Sequence, residues 1–433
     1  MPNSLSRLKF INKNLLGRKR PTIISVVKDE EKDQETIMSI MKEVETDTTI
    51  AYNEVLEKCN EQYRSKVNPV LNKDFHQMYI EGWFSHDLPP QMSALDASQP
   101  WMLYWLANSM KVLNKNGLTD EIKERIAEKV FAISPQGGPF GGGVGQLPHL
   151  ASNYAAINAL ALCDNIGGCW DKLNLKAIYE WLMSLKQVDG CFKTCSGIGE
   201  TDTRGVYCAL SVASMLGIMT PELCEGVEDF LISCQNYEGG FGGCAHEDEA
   251  HGGYTFCAIA SLSILAAIDR IDTSKLALWC SQRQDNAEKG FCGRSNKLVD
   301  GCYSFWIGST ASILEWHGCA ECVNKEALKE YILYCCQSSK RPGLQDKPGT
   351  NPDFYHTNYV LLGLAIAENA VFITSKEGDN KSKEQVLIEE PSSATHFNSP
   401  SCLTAINPIY GLPVEELFNF STHFRHKKSS CSS

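Results

Sequence analysis

The sequence predicts an all-α fold, an α/α toroid in which a barrel of inner helices is ringed by outer helices. Glycine-rich segments recur about every fifty residues, starting at Gln136, Gln187, Gln235, Gln284 and Gln337. Each repeat holds one amphipathic helix and one helix that is apolar on nearly all sides, as expected for an exposed and a fully buried helix. No polar capping repeat is evident at either end, which favours a closed ring over an open solenoid.

The outer helix of each repeat is predicted from its amphipathic pattern and from a capping residue at its start. The capping candidates are Thr119, Asn174, Thr220, Thr273 or Ser274, and Asn324. Short polar side chains accept hydrogen bonds from the free N–H groups of a first helical turn. The glycines that follow are expected to make tight turns with positive φ, after which an inner helix starts. A further inner helix is predicted upstream, from residue 100.

One barrel domain is predicted at residues 51–425. Residues 1–50 are predicted to form a disordered or extended N-terminal region, and residues 426–433 a disordered tail. Residues 1–28 carry Lys and Arg but no acidic residue, which is typical of a basic tail and leaves an organelle transit peptide as the alternative. Polar, Ser- and Pro-containing residues at 374–400 predict a surface insertion in the barrel domain.

Charge and composition exclude several classes of protein. The net charge of -12 at pH 7 opposes general affinity for phosphate backbones, so no nucleic-acid partner is expected. The longest weakly polar run, roughly 256–268, is far shorter than the roughly 20 residues of a membrane span, so no membrane insertion is expected. The 19 cysteines show no framework spacing, which predicts a reducing compartment and a cytoplasmic location.

A candidate metal site follows from the register of the repeats. When the inner helices are aligned on aromatic anchors such as Phe305 and Tyr359, Cys302 and His356 occupy the same position in successive repeats, and Asp300 lies two residues before Cys302. Inner helices of a ring begin at one rim, so these side chains should meet there. Asp, Cys and His suffice for zinc, and three protein ligands leave an open fourth position, as in catalytic sites. The alternative is an N-cap aspartate, a packed cysteine and a hydrogen-bonded histidine.

Cationic and polar residues are expected at the same rim: Arg204, His251, Arg294, Lys297 and the hydroxyl of Tyr303. In an acidic protein, such a cluster beside helix N-termini predicts a pocket for a diphosphate or a carboxylate. Separate surface salt bridges are the alternative.

Aromatic residues lie at helical spacing along the inner helices: Trp101, Trp105, Tyr154, Tyr207, Tyr254, Trp306 and Tyr359. Aromatic residues in this pattern are commonly part of a core. Around a ring, they could also form a deep apolar sleeve for a hydrocarbon tail.

Several long segments resemble the β subunits of protein farnesyltransferases, a branch of the protein prenyltransferase family, over roughly residues 75–420. These segments read ASQPWMLYWLANSM, GGFGG, EAHGGYTFCAIASL, GRSNKLVDGCYSFW and LQDKPGTNPDFYHTNY. The resemblance implies an α/α toroid that pairs with an α subunit in a heterodimer. It also implies transfer of a farnesyl group from farnesyl diphosphate to the cysteine thiol of a C-terminal CaaX motif, forming a thioether, on proteins such as small GTPases.

The resemblance further implies roles for individual residues. One zinc ion per β subunit would be held by Asp300, Cys302 and His356. The diphosphate would contact His251, Gly252, Gly253, Tyr254, Arg294, Lys297, Tyr303 and Arg204. The isoprenoid would contact Trp101, Tyr207, Cys257 and Trp306, and the peptide would contact Trp105, Tyr355 and His149. Asp346 would bind magnesium together with the diphosphate.

Bulky Trp101 at the floor of the sleeve favours a lipid of about fifteen carbons, because overfilling a packed cavity is costly. Relatives that accept the longer chain carry a smaller residue at this position, which also favours farnesyl. The alternative is the β subunit of a geranylgeranyltransferase type I. A terpene cyclase would need a D-x-D-D motif, which the sequence lacks. A helical-repeat scaffold that only binds peptides would function without zinc.

Overall fold

The computed structural model describes residues 46–64, 69–247, 249–369, 401 and 403–430. The chain divides into two compact units, Met1–Leu56 and Glu57–Ser433. Of the first unit, the described residues 46–56 belong to the start of a helix that ends at Tyr63. The barrel belongs to the second unit.

The described residues contain fifteen α-helices and one two-stranded sheet. The helices are α1 (Asp47–Tyr63), α2 (Lys73–Ser85), α3 (Gln99–Leu113), α4 (Asp120–Ile133), α5 (Leu150–Ala161), α6 (Leu175–Leu185), α7 (Thr203–Met215), α8 (Pro221–Cys224), α9 (Val227–Ser233), α10 (Gly252–Ile264), α11 (Thr273–Arg283), α12 (Tyr303–Trp316), α13 (Lys325–Cys335), α14 (Phe354–Glu368) and α15 (Val414–Ser430). Short 3₁₀ segments lie at Pro90–Ser98, Ile166–Lys172 and Ile268–Arg270, and the strands are β1 (Ile406–Asn407) and β2 (Leu412–Pro413). No helix of the described residues is long and apolar enough to cross a membrane.

Six inner helices, α3, α5, α7, α10, α12 and α14, form a closed barrel. Each packs against the next one along the chain, and α14 packs back against α3. Burial extends nearly all round these helices, as their sequences predict; α14, for example, is buried over most of its length. The predicted α/α toroid is therefore confirmed, with α3 as the additional inner helix expected upstream.

The outer helices begin at side-chain caps. Thr119, Asn174, Thr220 and Asn324 each accept a hydrogen bond from a backbone N–H of the first turn, as predicted. The prediction of Thr273 or Ser274 as the cap of α11 was wrong. Asp272 holds that position and accepts from the N–H of Lys275 at 2.9 Å, since a carboxylate is as good an N-cap acceptor as a hydroxyl.

The glycine-rich segments make the tight turns that return the chain from each outer helix to the rim. The residues that flank them pair as isolated antiparallel bridges, for example Gln235 with Phe241 and Gln337 with Leu344. Gly239 shows why glycine is needed: its φ is +99°, and a Cβ there would lie 2.5 Å from the carbonyl oxygen of Lys275. These turns fix where each inner helix begins.

The C-terminal part closes the barrel at the end away from the rim. Strands β1 and β2 pair antiparallel within residues 406–413, here called the plug, which packs against α3 and α14. Helix α15 follows and packs against α5 and α7, burying Leu417, Phe420 and Phe424. Helix α15 runs to Ser430, so residues 426–430, predicted as part of a disordered tail, are helical in the structure.

Three predicted segments lie outside the described residues: the N-terminal region up to residue 45, the insertion at 374–400 and residues 431–433. Helix α1 crosses the predicted domain boundary at residues 50/51 without a break, and the division of the chain into these domains stays a prediction.

Replacing Gly239 by Ala should destabilise the full-length protein by about 1–3 kcal/mol, because the new Cβ meets backbone in a left-handed conformation. Gly82, inside α2, has no heavy atom within 4 Å of an added Cβ. The matched variant Gly82→Ala should instead raise stability by about 0.5–1 kcal/mol. Denaturant unfolding of both variants measures the two effects, and equal stabilities would contradict the turn assignment.

Candidate functional site

The N-termini of the inner helices share one pattern of hydrogen bonds at the rim. His149, Asp202, His251 and Asp300 each accept, through a side-chain atom, from the backbone N–H two residues further on. At α14 the equivalent acceptor is Asp353, which accepts from the N–H of His356 at 2.7 Å. This shared geometry places successive repeats in the register that the sequence predicts.

Asp300, Cys302 and His356 meet at this rim. One ligand atom from each lies within 4.8 Å of the others. Cys302 is buried, with 4% of its surface exposed. His356 Nε2 lies 3.2 Å from Asp300 Oδ1, yet it is buried and has no aligned hydrogen-bond partner among the described residues. A buried imidazole nitrogen without such a partner, facing a thiol and a carboxylate, fits a tetrahedral metal such as zinc.

The two readings of Asp300 are compatible with each other. Its Oδ1 accepts from the N–H of Cys302 at 2.9 Å, as the capping interpretation expects. The same carboxylate also belongs to the three-residue cluster. A carboxylate offers several acceptor positions, so it can support the start of α12 and still bind a cation.

The ionisation of the cluster is coupled. Burial disfavours the Asp300 carboxylate, but His356 outweighs this and lowers the pKa of Asp300 below its usual value. Burial opposes the imidazolium, yet the carboxylates of Asp300 and Asp353 raise the pKa of His356 to about 9. Burial and the Asp300 charge raise the pKa of the Cys302 thiol. A metal must therefore displace protons from His356 and Cys302, so acid should weaken its binding.

Asp353 is a member of the site that sequence reasoning missed. Its Oδ2 lies 2.7 Å from His356 Nδ1, which turns Nε2 of the same ring toward the cluster. Metal-binding histidines commonly donate their second ring N–H to a carboxylate in this way. The available signal was an aspartate three residues before a histidine at a helix start. The spacing of the other repeats, with the acceptor five residues before the aromatic anchor, does not point to Asp353, which lies six residues before Tyr359.

Tyr355 connects the cluster to the interior of the barrel. Its hydroxyl accepts from Trp306 Nε1 at 3.0 Å, and it lies close enough to the Cys302 thiol to offset part of the rise in the pKa of that group. Tyr355 was predicted as a peptide contact. Its ring packs against that of His356, a candidate metal ligand, with centroids 5.0 Å apart.

His251 and Tyr303 form the centre of the predicted anion site. His251 Nδ1 accepts from the N–H of Gly253 at 3.0 Å, which leaves the proton of a neutral ring on Nε2. Nε2 lies 3.0 Å from the Tyr303 hydroxyl and donates to it, so that the hydroxyl keeps its own proton for another acceptor. Burial, followed by the charge of Arg294, lowers the pKa of His251 and keeps the ring neutral near pH 7.

The ring of Tyr303 fits closely over glycine backbone. A Cβ at Gly293 would lie 2.0 Å from Tyr303 Cζ, and a Cβ at Gly252 would lie 2.8 Å from Tyr303 Cδ1. The N–H of Gly252 donates to the carbonyl of Gly293 at 2.9 Å, which joins the two backbone segments under the ring. Residues larger than glycine at these positions would displace the Tyr303 hydroxyl.

The cationic residues lie around this centre, and two of them are paired with carboxylates. Arg204 Nη2 lies 2.6 Å from Asp202 Oδ2, and its guanidinium lies 5.2 Å from the centroid of the Tyr254 ring. Arg294 Nη1 lies 2.8 Å from Glu249 Oε2. Both arginines are close enough to lower the pKa of His251, after burial. Lys297 is exposed and makes no ion pair with residues that the structure describes.

Aromatic side chains form a continuous circle inside the barrel. Successive ring centroids are 4.4 to 5.6 Å apart. The members, called the aromatic sleeve below, are Trp101, Trp105, Tyr154, Tyr207, Phe256, Trp306, Tyr355 and Tyr359. The three tryptophans and Tyr355 are partly exposed, and the others are buried. Cys257, on α10 next to Phe256, is buried with 6% of its surface exposed.

Two predictions about the aromatic residues need correction. Tyr254 was predicted both for the diphosphate and for the sleeve, but its ring packs 5.4 Å from that of His251, at the rim. Phe256 was used only as an alignment anchor, although it closes the circle between Tyr207 and Trp306. Two residues along a helix turn the side chain by about 200°, so Tyr254 and Phe256 face different surroundings.

His149 and Asp346 lie at the edge of the site. His149 Nδ1 accepts from the N–H of Ala151 at 3.1 Å at the start of α5. The carbonyl of Asp346 accepts from the N–H of Gly301 at 2.7 Å, which ties its loop to the Asp300 segment. The carboxylate of Asp346 contacts the ammonium of Lys347 and the hydroxyl of Thr350. A cation at Asp346 would therefore compete with Lys347.

Comparisons with known proteins agree with this geometry. The prenyltransferase alpha-alpha toroid domain matches residues 71–412. The chain is 56% identical over 432 residues to protein farnesyltransferase subunit beta of Saccharomyces cerevisiae, covering 99% of this chain and 98% of the relative. The chain belongs to the protein farnesyltransferase β-subunit family. The corresponding subunit of Schizosaccharomyces pombe is 41% identical and covers 84% of this chain and 95% of its own length.

Geranylgeranyltransferase relatives are more distant from this farnesyltransferase-family chain. Geranylgeranyl transferase type-1 subunit beta of Arabidopsis thaliana is 31% identical over 360 residues, 75% of this chain and 92% of the relative. Among solved structures, Candida albicans protein geranylgeranyltransferase-I complexed with GGPP matches with a TM-score of 0.64 at 20% identity, over 82% of this chain and 99% of the other. That structural likeness supports the shared toroid.

The carboxylate of Asp353 should control metal affinity in this farnesyltransferase-family chain. Asp353→Asn keeps an acceptor for the cap of α14, because Asn and Asp are equivalent N-caps. It removes the charge beside His356, so we expect zinc affinity to fall about 10–100-fold. Competition with a chromophoric chelator measures this, with unfolding as the control for the cap. An unchanged affinity would show that Asp353 only caps the helix.

Proposed function

We propose that this chain is the catalytic β subunit of a zinc-dependent, heterodimeric protein farnesyltransferase. It would transfer a farnesyl group from farnesyl diphosphate to the cysteine thiol of a C-terminal CaaX motif, forming a thioether. The observation that carries the proposal is the order of three sites along the barrel. The Asp300, Cys302 and His356 cluster lies at the rim, where Tyr303 is close both to Asp300 and Cys302 and to Arg294, and Tyr355 joins the cluster to the aromatic sleeve.

Asp300, Cys302 and His356 are proposed to hold one zinc ion, with Asp353 orienting His356. Bound zinc lowers the pKa of a coordinated thiol and so supplies a thiolate nucleophile near neutral pH. The protein residues leave one tetrahedral position for the CaaX cysteine. Trp105, Tyr355 and His149 are proposed to contact the peptide, and Tyr355 is the best supported of these because its ring packs 5.0 Å from that of His356.

The rim residues are proposed to bind the diphosphate and to stabilise it as it leaves. Tyr303 can donate its hydroxyl proton because His251 occupies one of its acceptor positions. Arg294 and Arg204 would exchange Glu249 and Asp202 for the more highly charged diphosphate. Exposed Lys297 and the N-terminus of α10, at Gly252 and Gly253, add positive potential. Charge builds on the bridging oxygen as the bond to carbon 1 breaks, so these groups act most strongly in the transition state.

The aromatic sleeve is proposed to hold the isoprenoid chain, with Trp101, Tyr207, Cys257 and Trp306 among its contacts. Its apolar wall would exclude water from the reacting carbon and orient the chain below the thiolate. Trp101 is partly exposed to the interior and packs 5.6 Å from Tyr154. A bulky residue there limits the chain to about fifteen carbons, since overpacking is costly.

Magnesium and an α subunit complete the proposal. Asp346 offers a single carboxylate, which matches the usual binding of magnesium by one or two carboxylates and substrate phosphates. The relatives' names describe β subunits, which supports pairing with an α subunit. A reducing, cytoplasmic location is supported by the cysteines of the described residues, which are free thiols.

The decisive experiment uses the heterodimer, labelled farnesyl and geranylgeranyl diphosphates and a CaaX peptide. We expect stoichiometric zinc, farnesyl transfer, and loss of activity on zinc removal. Cys302→Ala should lower transfer at least about a hundredfold by removing a ligand. Its matched control is Cys163→Ala, because Cys163 is buried just beyond the C-terminal end of α5. Full activity of Cys302→Ala, or peptide binding without transfer, would favour a scaffold.

Chain-length selection is tested by Trp101→Thr. The smaller side chain leaves room at the floor of the sleeve, so we expect geranylgeranyl transfer to rise relative to farnesyl transfer by about 10-fold or more. Ratios of kcat/KM for the two diphosphates measure the effect. A wild-type protein that already prefers the longer diphosphate would instead identify a geranylgeranyltransferase type I β subunit.

A further inference from the structure

The plug at residues 406–413 is a fully buried segment without helical structure. A buried loop must satisfy its backbone polar groups within the protein, because no water replaces them. The plug bonds its backbone N–H groups within itself, for example from Ile409 and Gly411 to Asn407, and side chains of the inner helices donate to the carbonyls of Ile409 and Gly411. Its position relative to the barrel is therefore set by specific hydrogen bonds rather than by apolar packing alone.

The plug supports the aromatic sleeve directly. Tyr207 donates its hydroxyl to the carbonyl of Ile409 at 2.8 Å. The hydroxyl of Tyr154 lies 3.4 Å from that of Tyr207 and donates to it, since the Tyr207 proton is already committed. One carbonyl of the plug thus fixes the orientation of two adjacent rings of the sleeve.

Gly411 brings the plug against a second part of the barrel. Its φ is +66°, and a Cβ there would lie 3.1 Å from Phe305 Cζ and 3.5 Å from the Tyr104 hydroxyl. Tyr104 packs edge-on against Tyr154, with centroids 6.0 Å apart. The backbone of the plug therefore packs directly against the aromatic residues at this end of the barrel.

Two separate anchors hold the plug in place. Asn108 Nδ2 donates to the carbonyl of Gly411 at 2.9 Å, and the Ser214 hydroxyl pairs with the Tyr410 hydroxyl at 2.8 Å. Just beyond the plug, Lys111 Nζ forms a buried ion pair with Glu416 Oε1 at 3.0 Å. The first two contacts tie the plug to α3 and to α7, and the ion pair ties α15, which follows the plug, to α3.

We propose that the plug is a determinant of prenyl-chain length, with Ser214 and Tyr410 as positioning residues. The inference rests on the proposed function. A plug held by buried hydrogen bonds resists displacement, so binding of a longer prenyl chain is disfavoured by overpacking against it. If an anchor is removed, the plug can recede, Tyr207 loses its fixed acceptor and the sleeve deepens. The depth of the sleeve then depends on a C-terminal segment as well as on Trp101.

The test uses Ser214→Ala, Tyr410→Phe and the double variant in the heterodimer. We expect the geranylgeranyl-to-farnesyl ratio of kcat/KM to rise about three- to tenfold in each single variant, the effect of losing one buried hydrogen bond. The double variant should match the single variants, because both remove the same bond. Most of the change should lie in KM for the longer diphosphate.

Ser211→Ala is the matched control. Ser211 is buried on the same helix, and within the described part of the chain its hydroxyl bonds only to the carbonyl of Cys208, at 3.5 Å. The geranylgeranyl-to-farnesyl ratio of kcat/KM for Ser211→Ala should equal that of the wild type. Competition binding of the two diphosphates without peptide gives a second readout for any variant of low activity.

Two outcomes would overturn the inference. A farnesylating wild type whose plug variants lose thermal stability but keep the wild-type ratio would show that the anchors are structural only. A wild type that transfers neither prenyl group would refute the proposed function, and the inference would fall with it. Activity of the wild type distinguishes the two.

Discussion

The packing of α14 against α3 closes the ring, and the functional geometry depends on that contact. Five of the six inner helices begin at the same rim because each repeat returns the chain through a tight glycine turn of similar length, and closure places α3 beside them. Every N-terminus then faces one mouth, where free N–H groups and their partial positive charge accumulate. An acidic chain, with a net charge of -12, thereby acquires a local region suited to anions.

Several cationic side chains at the rim are paired with carboxylates of the same protein. Asp202 and Glu249 hold Arg204 and Arg294, and Lys347 contacts Asp346. The pair of Arg294 and Glu249 is partly exposed and weak, so a multivalent anion can replace it at little cost, whereas Arg204 and Lys347 are paired with largely buried carboxylates. These pairs also keep the long side chains close to the positions in which they would be used, which lowers the conformational entropy lost on binding.

Sequence reasoning predicted the closed ring and the meeting of Cys302 with His356, because both follow from the repeat. It failed where a residue departs from the repeat or acts over long range. Asp353 is out of register by one position relative to the other caps, and Asp272 precedes the predicted cap. The plug has no periodicity, and its partners Asn108, Tyr207 and Ser214 are about 200 to 300 residues away along the chain. Only folded coordinates bring such residues together.

The cluster of Asp300, Cys302 and His356 also spans two consecutive repeats, at the starts of α12 and α14. An ion bound there would act as a cross-link between neighbouring hairpins, one of which forms the closing seam with α3. A ligand that binds only the folded chain shifts the folding equilibrium toward the folded state. Metal binding at the rim would therefore stabilise the toroid as well as supply the chemistry. Starvation for the metal would then weaken the seam as well as the reaction.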